Sequence, residues 1–267
     1  MSKSSRGKPG HTKSFEGLQG HLLIVEYLGT PYSGWQQQPG KVTVQETIEK
    51  VLAKLWKRPI SAQASGRTDT GVHALGQPVS FQAPRLHNAA VLTRAMNANL
   101  PFTIRIRRAR LVPPEFHARF DAQGKTYHYH ILNEPVGSAF LIDRCWHLPR
   151  PLDLAAMRRA AKLLVGKHDF ASFTSNPGYE RETTVRTVKK LTLTKRDSMI
   201  HVAITADGFL YRMVRNIVGG LVKVGQGKIT VQQFKEARDA CSRSAAPASA
   251  PACGLYLAKV YYPKMGS

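Results

Sequence analysis

Hydrophobic and polar positions alternate along the chain with two periods, and together they predict strand–helix–strand units in both halves. An apolar run over residues 21–27 is typical of a buried strand. Apolar residues at helical spacing then follow Thr43 and Glu46, which have the spacing of a helix-capping pair. The order recurs in the second half, where residues 125–132 indicate a strand and Asp153 precedes a helical run. The pattern therefore predicts an α+β fold built from duplicated units of the ferredoxin-like type.

The remaining pattern divides the chain into three parts. Further strands are predicted at residues 60–65, 77–82, 104–112, 184–194, 199–206 and 255–262, and further helices after Asn88, over 209–224 and after Thr230. Pro113 and Pro114 resist both helix and sheet continuation, so we expect two α/β halves at 21–113 and 114–267, after a flexible basic arm at 1–20. Residues 245–251 are only Ala, Pro and Ser, which predicts a flexible loop. A groove between two sheets, mixed or antiparallel, would suit a long ligand.

The charge balance favours a polyanionic partner. The 39 Lys and Arg residues outnumber the 17 Asp and Glu residues and give a net charge of +22. A basic surface that serves only solubility is the alternative. A membrane surface is disfavoured, because no helical run sets Lys and Arg opposite an apolar face and no stretch reaches transmembrane length. The first 20 residues lack the apolar core of a secretory signal, and they are either a solvated tail or an arm that contacts the partner.

Cysteine and histidine usage predicts neither a disulfide framework nor a metal site. Three scattered cysteines, Cys145, Cys241 and Cys253, fit a reducing cytoplasm. The ten histidines show no metal-ligand spacing, and His73 is the one to watch because it lies beside a candidate catalytic loop.

That loop spans residues 66–75, and its carboxylate is the first candidate for chemistry. Asp69 lies between Gly66 and Gly71, with Arg67 two residues before it. Glycines permit tight backbone conformations, so such a loop can present one side chain rigidly at the lip of a cleft. The alternative is an aspartate that only stabilises its own turn through a backbone N–H.

An arginine and a tyrosine are the next candidates. Arg215 lies off the apolar stripe of its predicted helix but among valines, and a partly enclosed arginine needs an anion, either a structural ion pair or a catalytic carboxylate. Tyr127 shares a strand face with Tyr129 and is either half-buried core or a platform for a nucleobase. Arg105 and Arg107 share a face of another strand, as phosphate contacts or as a solvated edge.

At this point the chain resembles the TruA-type tRNA pseudouridine synthases. The loop Gly66-Arg67-Thr68-Asp69-Thr70-Gly71 is similar to the active-site motif of that family. Further motifs match in unbroken order from about Leu22 to Pro263: Tyr32-Ser33-Gly34-Trp35-Gln36, Val44-Gln45-Glu46, Asn97 to Pro101, Phe116 to Phe120 with Tyr127 to Tyr129, His168 to Phe173, Thr184 to Arg186, Met213 to Ile217 and Gly254 to Leu257. An ordered series of this length is far more specific than a single Gly-Arg-Thr-Asp.

The resemblance implies a function and a fold. It implies a pseudouridine synthase fold with a central RNA-binding cleft, in which uridines at positions 38, 39 and 40 of the tRNA anticodon stem and loop become pseudouridine. It further implies a cytoplasmic homodimer that binds tRNA and uses neither a cofactor nor a metal.

The resemblance also implies roles for five residues. Asp69 is the essential carboxylate, acting as a nucleophile or by removing a ribose proton. Arg215 is its ion-pair partner, Tyr127 stacks on the uracil and serves in proton transfer, and Arg67 helps to displace the target base. Leu257 forms an apolar wall of the uracil pocket. Lys125 stands where the family often has arginine, and Ala252-Cys253 replaces a common proline or glutamate.

Two other functions remain as alternatives. A catalytically silent RNA-binding protein would explain the charge but not the combination of Asp69, Arg67, Tyr127 and Arg215. A metal-dependent nuclease would need clustered carboxylates, and acidic residues are scarce here.

Overall fold

The computed structural model describes residues 17–84, 88–175, 183–245 and 248–263. Their ten strands are β1 (Gln19–Tyr27), β2 (Gln63–Ala64), β3 (His73–Ala83), β4 (Ile104–Val112), β5 (Gly124–Leu132), β6 (Trp146–His147), β7 (Gly166–Asp169), β8 (Val185–Arg196), β9 (Met199–Ala206) and β10 (Leu255–Tyr261). Their five α-helices are α1 (Val44–Trp56), α2 (Ala89–Asn99), α3 (Leu154–Lys162), α4 (Met213–Gly225) and α5 (Val231–Asp239). The predicted α+β class is confirmed, and the N-terminal arm lies mostly outside the described residues.

All ten strands belong to one mixed sheet, where the sequence predicted a groove between two sheets. The order is β4-β1-β3-β10-β5-β9-β8-β7, with β2 on β3 and β6 on β5. The last strand joins the halves, because β10 pairs in parallel with β3 and antiparallel with β5. A division at Pro113 and Pro114 stays a prediction, although both prolines do follow the end of β4.

Alternating side chains of the strands supply a core on each face of the sheet. Leu23 and Val25 of β1 belong to the main core, which includes the apolar faces of α1 and α4. Leu22, one residue away and on the opposite face, packs instead with Val112 and Phe116. Since the main core runs through both halves, the sheet holds the Asp69 loop and α4 in one framework.

Capping residues begin the helices at the predicted positions. The side chains of Thr43, Asn88 and Asp153 accept hydrogen bonds from the first turns of α1, α2 and α3. A reciprocal capping box between Thr230 and Gln233 begins α5. These local signals depend on neighbouring residues only, which explains why the sequence located them.

Several elements differ from the sequence prediction: β3 begins at His73 and not at residue 77, β2 covers only two residues of the predicted 60–65, and β6 and β7 were not predicted. The helix expected from residue 209 begins at Met213, because Arg212 has a left-handed backbone (φ 58°) that a helix does not admit. The first strand begins at Gln19, inside the predicted arm, because backbone pairing with β3 and β4 needs no apolar side chains. Within the described residues, no helix has both the length and the apolar character needed to cross a membrane.

The predicted flexible loop before β10 is partly fixed by α4. Among its described residues, Ala250 is fully buried, and its N–H donates to the carbonyl of Arg215 at 3.0 Å. Gly219 makes this contact possible, since a Cβ there would lie 2.1 Å from the carbonyl oxygen of Ala248.

We therefore expect Gly219→Ala to destabilise the protein. Helix propensity alone would favour alanine by about 1 kcal/mol, but the clash with backbone should reverse the sign and cost about 1–3 kcal/mol net. Urea unfolding measures the change, with Lys223→Ala on the same helix as the control. A Gly219→Ala protein that is more stable than wild type would contradict the close packing.

Candidate active site

The loop from Ser65 to Val72 rises between β2 and β3 and is held by hydrogen bonds from several elements. Thr68 is buried; its hydroxyl lies 2.8 Å from that of Tyr27 on β1, and its carbonyl accepts from Trp35 N–H at 3.0 Å. Inside the loop, Val72 N–H donates to the carbonyl of Asp69 at 3.1 Å. The flanking residues of the carboxylate are therefore fixed before any ligand binds.

Gly34 allows the Tyr32–Gln36 segment to approach this loop. It has a positive φ of 82°, and a Cβ would lie 2.7 Å from the carbonyl oxygen of Thr68. A side chain would therefore be both strained and obstructed. The sequence contained this signal in its Ser-Gly-Trp motif but did not show what the glycine packs against.

A second set of contacts holds the beginning of the loop. Lys125 Nζ donates to the carbonyl of Ser65 at 2.8 Å, and Gln77 Nε2 donates to the carbonyl of Gly66 at 2.6 Å. The Ser65 hydroxyl donates in turn to Gln77 Oε1 at 2.6 Å. Sequence reasoning named Lys125 only as a departure from the family pattern and missed Gln77, because neither contact has a local sequence signal.

Asp69 and Arg215, 146 residues apart, meet across the cleft. Arg215 Nη1 lies 3.1 Å from Asp69 Oδ2, and Arg215 Nε donates to the carbonyl of Ala250 at 2.8 Å. The backbone bond from Ala250 to Arg215 completes a reciprocal pair. The guanidinium is thus oriented on one side by the backbone and presents its other side to the carboxylate.

Arg212 adds a second cation to the same carboxylate. Its Nε lies 4.0 Å from Asp69 Oδ2, and its guanidinium lies 5.0 Å from the ring centre of Tyr211. The left-handed backbone of Arg212 ends the preceding loop and begins α4, so the helix N-terminus faces the cleft. Sequence reasoning missed this residue because it treated Arg212 as part of the helix.

Tyr127 lies on the floor of the cleft, on β5. Its ring packs edge-on against Phe209, with ring centres 5.0 Å apart, and little of the residue is exposed. Burial, and then the negative charge of Asp69, raise the pKa of Tyr127 well above its ordinary value. The phenol therefore stays protonated at neutral pH and can donate a proton or a hydrogen bond, but it cannot act as a base there.

The cleft has a volume of about 1110 Å³ and is predominantly basic. Charged residues on its walls are Arg67, Asp69, Arg119, Lys125, Arg212 and Arg215. Arg67 is exposed on the Asp69 loop. Burial, with the charge of Arg119 second, lowers the pKa of Lys125 to about 8. The surface thus offers several cations around one carboxylate, which suits a negatively charged ligand.

Two of the residues singled out from the sequence do not lie at the cleft surface. Leu257 is fully buried between Ala74 and Tyr127 on the neighbouring strands, and Leu255 lines the cleft instead.

His73 accepts from Gly29 N–H at 2.9 Å, and its Nε2 lies 3.0 Å from the carbonyl of Cys253. Because burial lowers the pKa of His73, it is a neutral side chain that joins β3 to neighbouring loops. In the described part of the chain, no three His, Cys, Asp or Glu side chains are grouped to hold a metal ion.

The chain is similar to known proteins over most of its length. A tRNA pseudouridine synthase from Methylacidiphilum infernorum, designated A, is 48% identical over 91% of this chain and 96% of that relative. One of the same designation from Syntrophotalea carbinolica is 43% identical over 90% and 95%. Among solved structures, one chain of a Cbf5-Nop10-Gar1 complex is 13% identical over 89% of this chain and 49% of that chain, with a TM-score of 0.37. The family model described as tRNA pseudouridine synthase matches residues 23–121 and 160–263, so the chain belongs to the tRNA pseudouridine synthase family.

Proposed function

We propose that this protein converts uridine to pseudouridine in tRNA, at positions 38, 39 and 40 of the anticodon stem and loop. The observation that carries the proposal is Asp69, held on a fixed loop 3.1 Å from Arg215 in a basic cleft that is floored by Tyr127. Family membership supports the reaction, and the motif series of the TruA type supports the positions. The reaction belongs in the cytoplasm, where free thiols such as those of Cys145 and Cys253 stay reduced.

The reaction is an isomerisation and needs no external reactant. The bond between uracil N1 and ribose C1′ breaks, the base turns, and a new bond forms between C5 and C1′. C5 then loses its proton, and N1 gains one. Asp69 acts at the ribose–uracil linkage, while Arg215 and Arg212 orient its carboxylate. Fixed cations around the carboxylate avoid a costly rearrangement when the target nucleotide enters.

Displacement of the target base from the stem and binding of the displaced base are assigned to different residues. Arg67, exposed at the loop, supports displacement of the target base, a step that costs a few kcal/mol. The protonated Tyr127 supports stacking on the uracil, with Phe209 packed edge-on against it in the same cleft. Leu255 supplies the apolar surface assigned by resemblance to Leu257, which lies buried beside Tyr127.

Asp69→Asn should abolish the reaction. Asparagine keeps the shape and can still accept from Arg215, but it neither attacks nor removes a proton, so we expect a rate loss of about a thousandfold or more. Pseudouridine mapping of unmodified tRNA transcripts, incubated with wild type and variant in EDTA, measures it. Salt-sensitive tRNA binding by both proteins is the control for folding.

The same assay separates the alternative functions. Product from wild type at positions 38–40 without added cofactor rules out a silent binder, and retained activity in EDTA rules out a metal-dependent nuclease. Product at the wild-type rate from Asp69→Asn would refute the assigned role.

Binding of tRNA should weaken as the pH rises through about 8, because the Lys125 ammonium loses its charge there. The expected loss in affinity is about fivefold, from ~1 kcal/mol for one charge pair near 4 Å in water. Lys125→Arg keeps its charge and should show a flatter profile. Fluorescence anisotropy with labelled tRNA between pH 6.5 and 9 measures both.

Folding stability is an independent check, because it should increase with pH where the affinity for tRNA decreases. Since the pKa of Lys125 is lower in the folded protein than in the unfolded chain, the unfolded state binds more protons above pH 8, and wild-type stability should rise relative to Lys125→Arg. Parallel profiles of the two proteins in both measurements would contradict the assignment.

We also propose that the protein acts as a homodimer with tRNA contacting both subunits. The resemblance implies this, and the segment around residues 136–142 supports it: Val136, Phe140 and Ile142 are strongly exposed beside a hollow of about 490 Å³. Clustered apolar exposure of this kind is typical of an interface.

Phe140→Asp should shift the protein from dimer toward monomer, because it places a charge in the exposed apolar patch that the proposed dimer would bury. Sedimentation equilibrium across micromolar concentrations measures the shift, and Val165→Asp, an exposed apolar position outside the patch, is the control. A Phe140→Asp protein that dimerises as tightly as wild type would exclude this surface.

A further inference from the structure

Phe102 is the most exposed large apolar side chain among the described residues, at 94%. It lies in the turn between α2 and the edge strand β4. A single exposed phenylalanine is common and needs no explanation by itself. What surrounds this ring is less common.

A fixed cation lies against one side of the ring. The Arg105 guanidinium is 4.6 Å from the ring centre of Phe102. Its Nη1 donates to the carbonyls of Leu100, Pro101 and Ile104 at 3.3, 3.0 and 2.9 Å. These hydrogen bonds hold the guanidinium beside the ring, and the ring itself stays largely open to solvent.

The turn itself is rigid and joined to the catalytic end of the sheet. Asn97 bonds both to the carbonyl and to the N–H of Ile106, at 2.9 and 2.8 Å. Thr103, next to Phe102, bonds to the Tyr32 hydroxyl at 2.6 Å and accepts from Leu28 N–H at 2.9 Å. Leu28 follows Tyr27, the residue that holds Thr68 in the catalytic loop. Phe102 is thus presented at the same end of the sheet as Asp69, outside the cleft lining.

The charge beside the ring is strongly positive. Arg107, Arg108 and Arg110 are exposed along β4. Arg107 has an ion pair with Glu26, but at a long 3.7 Å and with both side chains largely in solvent. An open aromatic face next to a row of cations is the combination that binds unpaired nucleotides, with the base on the ring and the phosphates on the arginines. A protein partner would need a wider apolar area than one ring.

We propose that Phe102, braced by Arg105, is a stacking site for an unpaired nucleobase of the tRNA substrate, outside the catalytic cleft. The arginines of β4 hold the adjoining phosphates. This site rests on the proposed function for the identity of its ligand, and it adds affinity for tRNA without touching the reacting uridine.

Four variants test the stacking. Phe102→Ala removes the ring, Phe102→Leu keeps apolar area without a π-face, Phe102→Trp keeps the π-face, and Val91→Ala is a matched exposed apolar control on α2. For full-length tRNA we expect a 5- to 30-fold higher Kd and KM for Ala and Leu, and values near wild type for Trp and for the control. The kcat at saturation should not change.

Salt dependence distinguishes stacking from charge. Phe102→Ala should lower affinity at every salt concentration with the slope of log Kd against log salt unchanged, whereas Arg107→Gln should reduce that slope by about one. Equal Kd values for Phe102→Ala and wild type would overturn the proposal. So would wild-type binding by Phe102→Leu, or a changed sedimentation behaviour of Phe102→Ala, which would mark a protein contact instead.

The outcomes for this site and for the proposed function separate cleanly. Pseudouridine formation with no effect of Phe102 variants removes the stacking site and keeps the enzyme. Weaker tRNA binding by Phe102→Ala in a protein that forms no pseudouridine keeps the stacking site and removes the enzyme.

Discussion

The ion pair between Asp69 and Arg215 is the contact on which the geometry of the cleft depends. Its partners come from opposite halves of the chain and are placed by different means: the aspartate by a loop tied to β1 and to the Trp35 segment, the arginine by α4 and Ala250. Partly buried charges are costly unless their remaining hydrogen-bonding groups are satisfied. Here the backbone carbonyl of Ala250 accepts a hydrogen bond from Arg215 Nε, so the ion pair forms without leaving that donor unpaired.

The single sheet makes this meeting possible. Because β10 lies between β3 and β5, it brings the strand that follows the Asp69 loop close to the strand that carries Tyr127. Packing of α4 against the segment before β10 then determines how far Arg215 lies from Tyr127 on the floor of the cleft. At Gly219 the backbone of α4 is in direct contact with the backbone of the segment before β10. Because no side chain lies between them, the position of one segment fixes the position of the other.

The basic residues that attract a polyanion and the basic residues that shape the cleft are different ones. Arg107, Arg108 and Arg110 of β4 are exposed, which favours long-range attraction of a polyanion. Inside the cleft, Arg215 and Arg212 are instead engaged with a carboxylate and Lys125 with a loop carbonyl, and these contacts fix geometry. Tyr127 lies on the floor of the cleft, and burial keeps its phenol protonated near the carboxylate.

The sequence by itself determined the starts of four of the five described helices, most strands, the basic character and the motif residues Asp69, Arg67, Tyr127 and Arg215. These follow from capping residues, periodicity and ordered motifs, all of which act over a few neighbours or are read by type. It did not reveal Arg212, because a left-handed residue before a helix has no side-chain signature when it is not glycine.

Only the tertiary structure decided which surfaces meet. It joined the halves into one sheet, buried Leu257 while exposing Leu255 to the cleft, and fixed part of a loop that composition predicted to be flexible. It also set Phe102 on the guanidinium of Arg105. Such contacts depend on strand order and on backbone-to-backbone approach between residues far apart in the chain, and neither leaves a periodic trace in the amino-acid sequence.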